Sequence, residues 1–299
     1  MKGSREVITR RDFLKGTACT TLAAAMGFPA ELEEKSKGSK RTRVILVRDP
    51  DAMDKRGLTD PGVIQRMLDQ AVSALLNKED PLEAWKLLIN PTDVVGIKSN
   101  EWGPLPTPTE VEQTIKRRIL NVGVPEGDMS IDDRGVLRNP IFRRASVLVN
   151  ACTFRTHHWS GVGGCLKNYI MFVRFPFRYH GDSCANLGAI WKFPKLKGKT
   201  RLNVLVVLHP LFHGIGPHHF SSRYTWDYKG ILVGTDPVAL DAVGLSLLRA
   251  KRIEYFGEDR PLSPPAKHIA IADAKYNVGV SDLRRIELVK LGWKKGSLI

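Results

Sequence analysis

Short β-branched runs alternate with amphipathic helical stretches along this chain, and that alternation constrains its fold more than any other feature. Residues 44–47 (Val-Ile-Leu-Val) read as a first strand. Asp60-Pro61 then opens a helix, with Asp60 as N-cap, proline in the first turn, and Val63, Ile64, Met67, Leu68, Ala71, Val72 and Leu75 at helical spacing. Asp80-Pro81 begins a second helix by the same chemistry. Residues 93–97, 129–132, 146–149 and 203–208 are further strand-like runs. Thr109 and Glu112 have the spacing of a capping box for a helix running to about Asn121, which Gly123 ends. Residues 230–234 form a strand that turns directly into Thr235-Asp236-Pro237, the start of a helix reaching about Ala250, and 286–291 form a last strand. The predicted fold class is α/β: a largely parallel β-sheet with flanking helices, in a single domain with two lobes at about 44–150 and 151–299.

A chain of 299 residues can bury enough surface to need no metal or disulfide staple, and four cysteines are too few for a disulfide scaffold. The 46 Lys+Arg against 31 Asp+Glu leave a net charge of +15, of which residues 1–30 hold only a small part. Such a surface attracts anions: phosphorylated ligands, acidic lipid headgroups, polyanions or an acidic protein partner. A merely solvated basic surface is the competing reading.

The first thirty residues read as an address. Thr9-Arg10-Arg11-Asp12-Phe13-Leu14-Lys15 is a twin-arginine export box, followed by a small-residue, mildly apolar stretch from Gly16 to Ala30. That stretch is too short to span a bilayer, which takes about 20 residues, and no other run approaches that length, so no transmembrane span is expected. Residues 31–43 read as a charged, flexible linker ahead of a domain at 44–299. The expectation is a partner in the twin-arginine translocase and a periplasmic or extracytoplasmic location. This route carries folded passengers, which favours a cofactor bound before export.

In parallel sheets ligands sit beyond the carboxyl ends of strands. That rule nominates Lys98 and Asn100, Asp132 and Asp133, Asn150 and Cys152, His209 and His213, and Thr235 and Asp236. Residues 150–180 are the densest in chemistry: Cys152, Arg155, His157, His158, a glycine loop (Gly161-Val162-Gly163-Gly164), Cys165, Lys167, Asn168 and His180. Glycines let backbone N–H groups approach an anion, and Lys167 supplies a point charge or a perturbable amine. The loop is neither a Walker motif nor a dinucleotide fingerprint, and a plain turn explains it as well. His157/His158 and His213 with His218/His219 form two groups suited to metal ligation or proton transfer near neutrality, or to ordinary polar packing.

No Cys-x-x-Cys occurs, which excludes a conventional four-cysteine iron–sulfur cluster. A metal ion held by Cys152, His158 (or His157) and Cys165 remains open, beside the commoner role of such cysteines as small buried hydrophobes and beside a disulfide among Cys152, Cys165 and Cys184. Residues 172–180 interleave bases with aromatics, the pattern of a single-strand nucleic-acid groove. Export removes that partner, leaving a pocket rim with arginines or simple packing, so no nucleic acid is expected. Asp236 reads as a helix cap, and Asp241, five residues on, is too far around that helix to pair with it.

These pieces together resemble the family known as domain of unknown function 362 (DUF 362), in its twin-arginine-signal-bearing branch. The resemblance rests on residues 94–100 (Val-Val-Gly-Ile-Lys-Ser-Asn), 146–157, 161–168 with Lys167-Asn168, His180, Gly216-Pro217 and 230–240. Relatives often carry Lys-x-His before the glycine loop, whereas here Arg155-Thr156-His157 keeps the charge without a titratable base. The resemblance implies a fold neighbourhood and a site, not a reaction. The leading expectation is an exported enzyme or cofactor-dependent protein acting on an anionic small molecule. Its catalytic residues would be His157, Lys167 and Asn168, with Lys98, Asn100, Arg155, His180, His213 and Asp236 around the anion. The rival is a non-catalytic periplasmic accessory protein that binds a metal or anion, with a redox or acidic protein as partner.

Overall fold

A computed structural model describes residues 41–214 and 220–299. The export box, most of the linker, Gly216, Pro217, His218 and His219 lie outside the described residues.

Eight strands form one sheet: β1 (Thr42–Arg48), β2 (Val95–Lys98), β3 (Met129–Asp132), β4 (Val147–His157), β5 (Gly161–Gly163), β6 (Thr200–Leu211), β7 (Gly230–Gly234) and β8 (Ile286–Gly292). The order is β3-β2-β4-β6-β7-β1-β8, with β5 folded back on the end of β4. Along that path β7 alone is antiparallel to its neighbours, so the carboxyl ends of the other six strands share one edge. The expected α/β architecture with a mostly parallel sheet is therefore what the chain adopts. The 150/151 lobe boundary falls inside β4, and residues 41–299 cluster as one unit.

Alternation along the strands feeds two cores. Val44 and Leu46 of β1, with Leu205 and Val207 of β6, face one side; Ile45, Val47, Val204, Val206 and Leu208 face the other. The second side is covered by α1 (Pro61–Leu76), α2 (Pro81–Lys86) and α3 (Thr109–Val122). Asp60 and Asp80 cap the first two through Val63 N and Leu82 N, as their Asp-Pro pairs predict. The capping box expected for α3 is absent. Pro108 occupies the N-cap, Thr109 already lies inside the helix, and the Glu112 carboxylate instead accepts from the Ser99 hydroxyl. Gly123 ends α3 in the left-handed region, at φ 109°.

A one-turn helix, α4 (Pro140–Arg144), leads into β4. The first core is closed by the short α5 (Cys165–Asn168), by α6 (Pro237–Phe256) and by α7 (Lys267–Ala274). Among the described residues no helix is long and apolar enough to cross a membrane.

Candidate functional site

At the carboxyl edge, where β2 and β4 end and the chain turns through β5 into α5, lies a cavity of about 340 Å³. Of the residues nominated from sequence, Asn100, Cys152, Arg155, His157, Lys167, Asn168 and His180 line it, together with Asp133. This convergence follows from three local facts. β2 carries Lys98 to the edge beside Asn150 of β4. β5 pairs Gly163 with Arg155 and Gly161 with His157, reversing the chain. α5 then presents Lys167 and Asn168 back to the cavity.

The reversal depends on glycine at two points. Gly161 has φ +74°, and a Cβ there would meet the Pro264 carbonyl oxygen at 2.6 Å. A Cβ on Gly164 would collide with the Asp241 carboxylate. That carboxylate, fully buried on α6, accepts from Cys165 N at 2.7 Å and Leu166 N at 2.9 Å. The backbone anion cradle read into the glycine loop is thus filled by the protein's own Asp241, and an external anion must be met by side chains. Asp241 is the residue the sequence reading missed. Its signal was the second aspartate of Thr-Asp-Pro-Val-Ala-Leu-Asp, which helical geometry separates from Asp236 but aims at α5.

The floor is a chain of carboxamides. Asn168 Nδ2 donates to Asn150 Oδ1 at 2.9 Å, and Asn150 Nδ2 donates to Asn203 Oδ1 at 3.0 Å and to the Cys165 carbonyl at 3.2 Å. Asn168 Oδ1 in turn accepts from Lys98 Nζ and from Asn100 Nδ2, each at 3.3 Å. Lys98 is fully buried; its ammonium is ion-paired with Asp133 and donates to the Ser99 carbonyl at 2.5 Å. It therefore does not reach a ligand, contrary to its nomination as an anion-binding residue. Its role is to fix Asp133 and Asn168.

The cationic wall is Arg155 and Lys167. Arg155 Nη1 donates to Asn100 Oδ1 at 3.3 Å and to the Thr153 carbonyl at 3.2 Å, and its guanidinium lies 4.5 Å from the centre of the Trp102 ring. Burial pushes its pKa down to about 10, which leaves it charged at neutrality. Lys167 Nζ stands 3.1 Å from His180 Nε2, and His180 stacks on Trp159 with ring centres 3.8 Å apart. Burial, reinforced by Arg155, lowers Lys167 to about 8. Burial and then the Lys167 charge lower His157 to about 2 and His180 to about 4, so both imidazoles are neutral near pH 7. His157 is consequently a hydrogen-bonding neutral imidazole, and Lys167 is the group that titrates nearest neutrality. Buried His268, held down to about 3 first by desolvation and then by Lys167, lies behind this wall and was not foreseen.

Two nominated residues lie elsewhere. Asp236 caps α6 through Val238 N and Ala239 N and also accepts from Val280 N. Because β7 is antiparallel, its carboxyl end is on the opposite edge from the cleft. His213 packs beside Tyr224 and Phe256 with Arg252 Nη1 3.2 Å from its Nδ1, away from the cavity lining. The proposed metal set is not assembled: among the described residues no three His, Cys, Asp or Glu side chains are placed to hold an ion. Cys152 and Cys165 are buried free thiols, and burial pushes Cys165 well above the ordinary thiol range, while His158 stacks between His157 and Trp159. The aromatic–arginine stretch forms a lip, with Arg174 and Arg178 flanking the exposed Phe175 and Pro176 facing the cavity. Trp102, Trp159 and the exposed Arg134 also line the cavity, and none was singled out from the sequence.

Fold and cleft together define an α/β protein with a cationic ligand site at the carboxyl edge of a parallel sheet. Residues 122–246 match the family described as Domain of unknown function (DUF362), in support of the family resemblance read from the sequence. The matched stretch carries β4, β5, α5 and the first half of α6, hence Arg155, His157, Lys167, Asn168, His180 and Asp241; Lys98 and Asn100 lie outside it. Searches of curated proteins and of solved structures returned no match.

Proposed function

We propose that this chain is an exported enzyme that acts on an anionic small molecule, a carboxylate or a phosphate, in the cleft between β2, β4 and α5. One observation carries the reading. Arg155 and Lys167 face a cavity of about 340 Å³, and among the described residues the one carboxylate lining that cavity, Asp133, is already engaged by Lys98. Two buried cations without a carboxylate of their own are unfavourable unless something else neutralises them, and a small anion does so. Arg155 supplies the fixed charge. Lys167, whose amine burial brings down to about 8, supplies with the imidazoles of His157 and His180 beside it a group able to take or give a proton near neutral pH. Asn168, held on both faces of its amide, orients the ligand or stabilises developing negative charge.

The test is calorimetric titration of the purified protein with a panel of carboxylates and phosphates. Arg155→Met should weaken the binding ligand by about 30-fold or more, the scale for truncating one partner of a buried charge pair. Ligand binding that is indifferent to both Arg155→Met and Lys167→Met would exclude this cleft. Binding that depends on both, with the ligand recovered unchanged under all conditions, would assign the chain to a non-catalytic accessory role. The twin-arginine branch and an extracytoplasmic location are part of the same proposal, supported by Arg10-Arg11 and the apolar stretch after them. Replacing both arginines by lysine should retain the protein inside the cell, which fractionation would show.

A further inference from the structure

Among the described residues Lys167 is paired with no carboxylate, which sets it apart from the buried Lys98. Lys98 spends its ammonium on Asp133, the Ser99 carbonyl and Asn168 Oδ1. Around Lys167 stand an uncharged imidazole nitrogen at 3.1 Å, the face of Trp159 at 5.9 Å and the Cys184 thiol, which opposes the effect of burial, and it opens on the same cavity as Arg155. A desolvated lysine beside another cation loses its proton more readily than a free one, which raises the fraction of nucleophilic amine. The cavity volume suits a small molecule, and Arg155, anchored by Asn100 and Thr153 and flanked by the side-chain-free Gly163, offers a fixed carboxylate site on the lining of that volume.

We propose that Lys167 forms a covalent imine with the carbonyl carbon of a 2-oxo carboxylate whose carboxylate is held by Arg155. The proposal rests on the anion-site reading above and names its substrate class. The nitrogen lone pair attacks the carbonyl carbon, and the C=O π pair moves to oxygen. One nitrogen proton passes by way of His180 to that oxygen, giving a carbinolamine. The oxygen then departs as water with the second nitrogen proton, while the nitrogen pair closes the C=N bond. Amine plus ketone gives imine plus water, with no oxidant or reductant consumed. His180 suits the transfer because its neutral Nε2 already lies within hydrogen-bond reach of Nζ.

The experiment is reductive trapping. The protein is incubated with pyruvate or glyoxylate, treated with sodium borohydride, and mapped by peptide mass spectrometry, with lactate as the carbonyl-free control. The expected result is one reduced adduct per chain, at residue 167, absent with lactate and absent in Lys167→Arg. Should that variant fail to fold, mapping of the unaltered protein decides alone. An oxo acid that protects the protein against thermal unfolding in an Arg155-dependent way, yet leaves no adduct or scatters it over surface lysines, overturns the imine and leaves the anion site standing. No protection and no adduct overturns both.

Discussion

Lys167→Met should make the protein more stable at neutral pH, an unusual sign for removing a buried side chain's charge. Burial lowers the Lys167 pKa from 10.5 to about 8. The unfolded chain therefore holds this proton more tightly than the folded one between those two values. Stability from this group is fully present above pH 10.5 and is lost as pH falls through 8, where the ammonium must be carried into the site. The difference of roughly 2.5 pKa units corresponds to about 3 kcal/mol at pH 7. Methionine also forfeits the contact with His180, worth about 1 kcal/mol, so a net gain of about 2 kcal/mol is expected. In urea denaturation, with a slope near 3 kcal/mol/M, the midpoint at pH 7 should rise by roughly 0.7 M. The gain should shrink to nothing or reverse above pH 10.5. A variant less stable than the parent at pH 7, or a gain that does not vary with pH, would refute the claim that Lys167 is held as an uncompensated cation.

The clamp on α5 and the turn before it give predictions of the opposite sign. Asp241→Ala strips the acceptor from Cys165 N and Leu166 N in a fully buried site and should cost about 2–5 kcal/mol, measured by the same denaturation, with ligand affinity falling as Lys167 and Asn168 lose their placement. Gly161→Ala adds a Cβ against the Pro264 carbonyl at a positive-φ position and should cost more than about 2 kcal/mol; a near-neutral result would mean the β5 turn is not fixed by α7's leading loop.

Much of the framework was legible because its signals are local. Asp-Pro pairs at 60–61, 80–81 and 236–237 each begin a helix through an aspartate cap and a proline in the first turn, whereas Asp49-Pro50, with no apolar helical stretch after it, makes only a turn. The capping box at Thr109 failed because Pro108 fixed the entry geometry first, freeing Glu112 for a partner 13 residues away, Ser99. The carboxyl-end rule found Asn100, Asp133 and Cys152 but also nominated Asp236 and His213, while Arg155, Lys167 and Asn168 stood out through the density of chemistry in residues 150–180. Strand direction decides which end is which, and the reversal of β7 is a pairing choice written in no local pattern. Asp241 was invisible for the same reason: its partners are amides more than seventy residues earlier, brought near only by the packing of α6 on α5.

Lys98 and Lys167 show how a site can be told from its scaffold by charge accounting alone. Both are lysines in the buried edge of one cleft, and burial pushes both below the ordinary lysine range. For Lys98 the neighbouring Asp133 opposes that push, and its three donors find three acceptors in Asp133, Ser99 and Asn168. Removing it by Lys98→Met strands a nearly fully buried carboxylate and leaves the Asn168 oxygen one of its two donors, which should cost about 3–5 kcal/mol. Lys167→Met gives up the contact with His180 but removes a buried charge that no carboxylate pairs among the described residues. Opposite signs for the same substitution at two positions far apart in sequence but a single asparagine apart in space follow only if Lys98 holds the cleft together and Lys167 is kept short of a partner for what the cleft binds. Equal losses for the two variants would make both lysines scaffold, and the chemistry would then have to lie elsewhere.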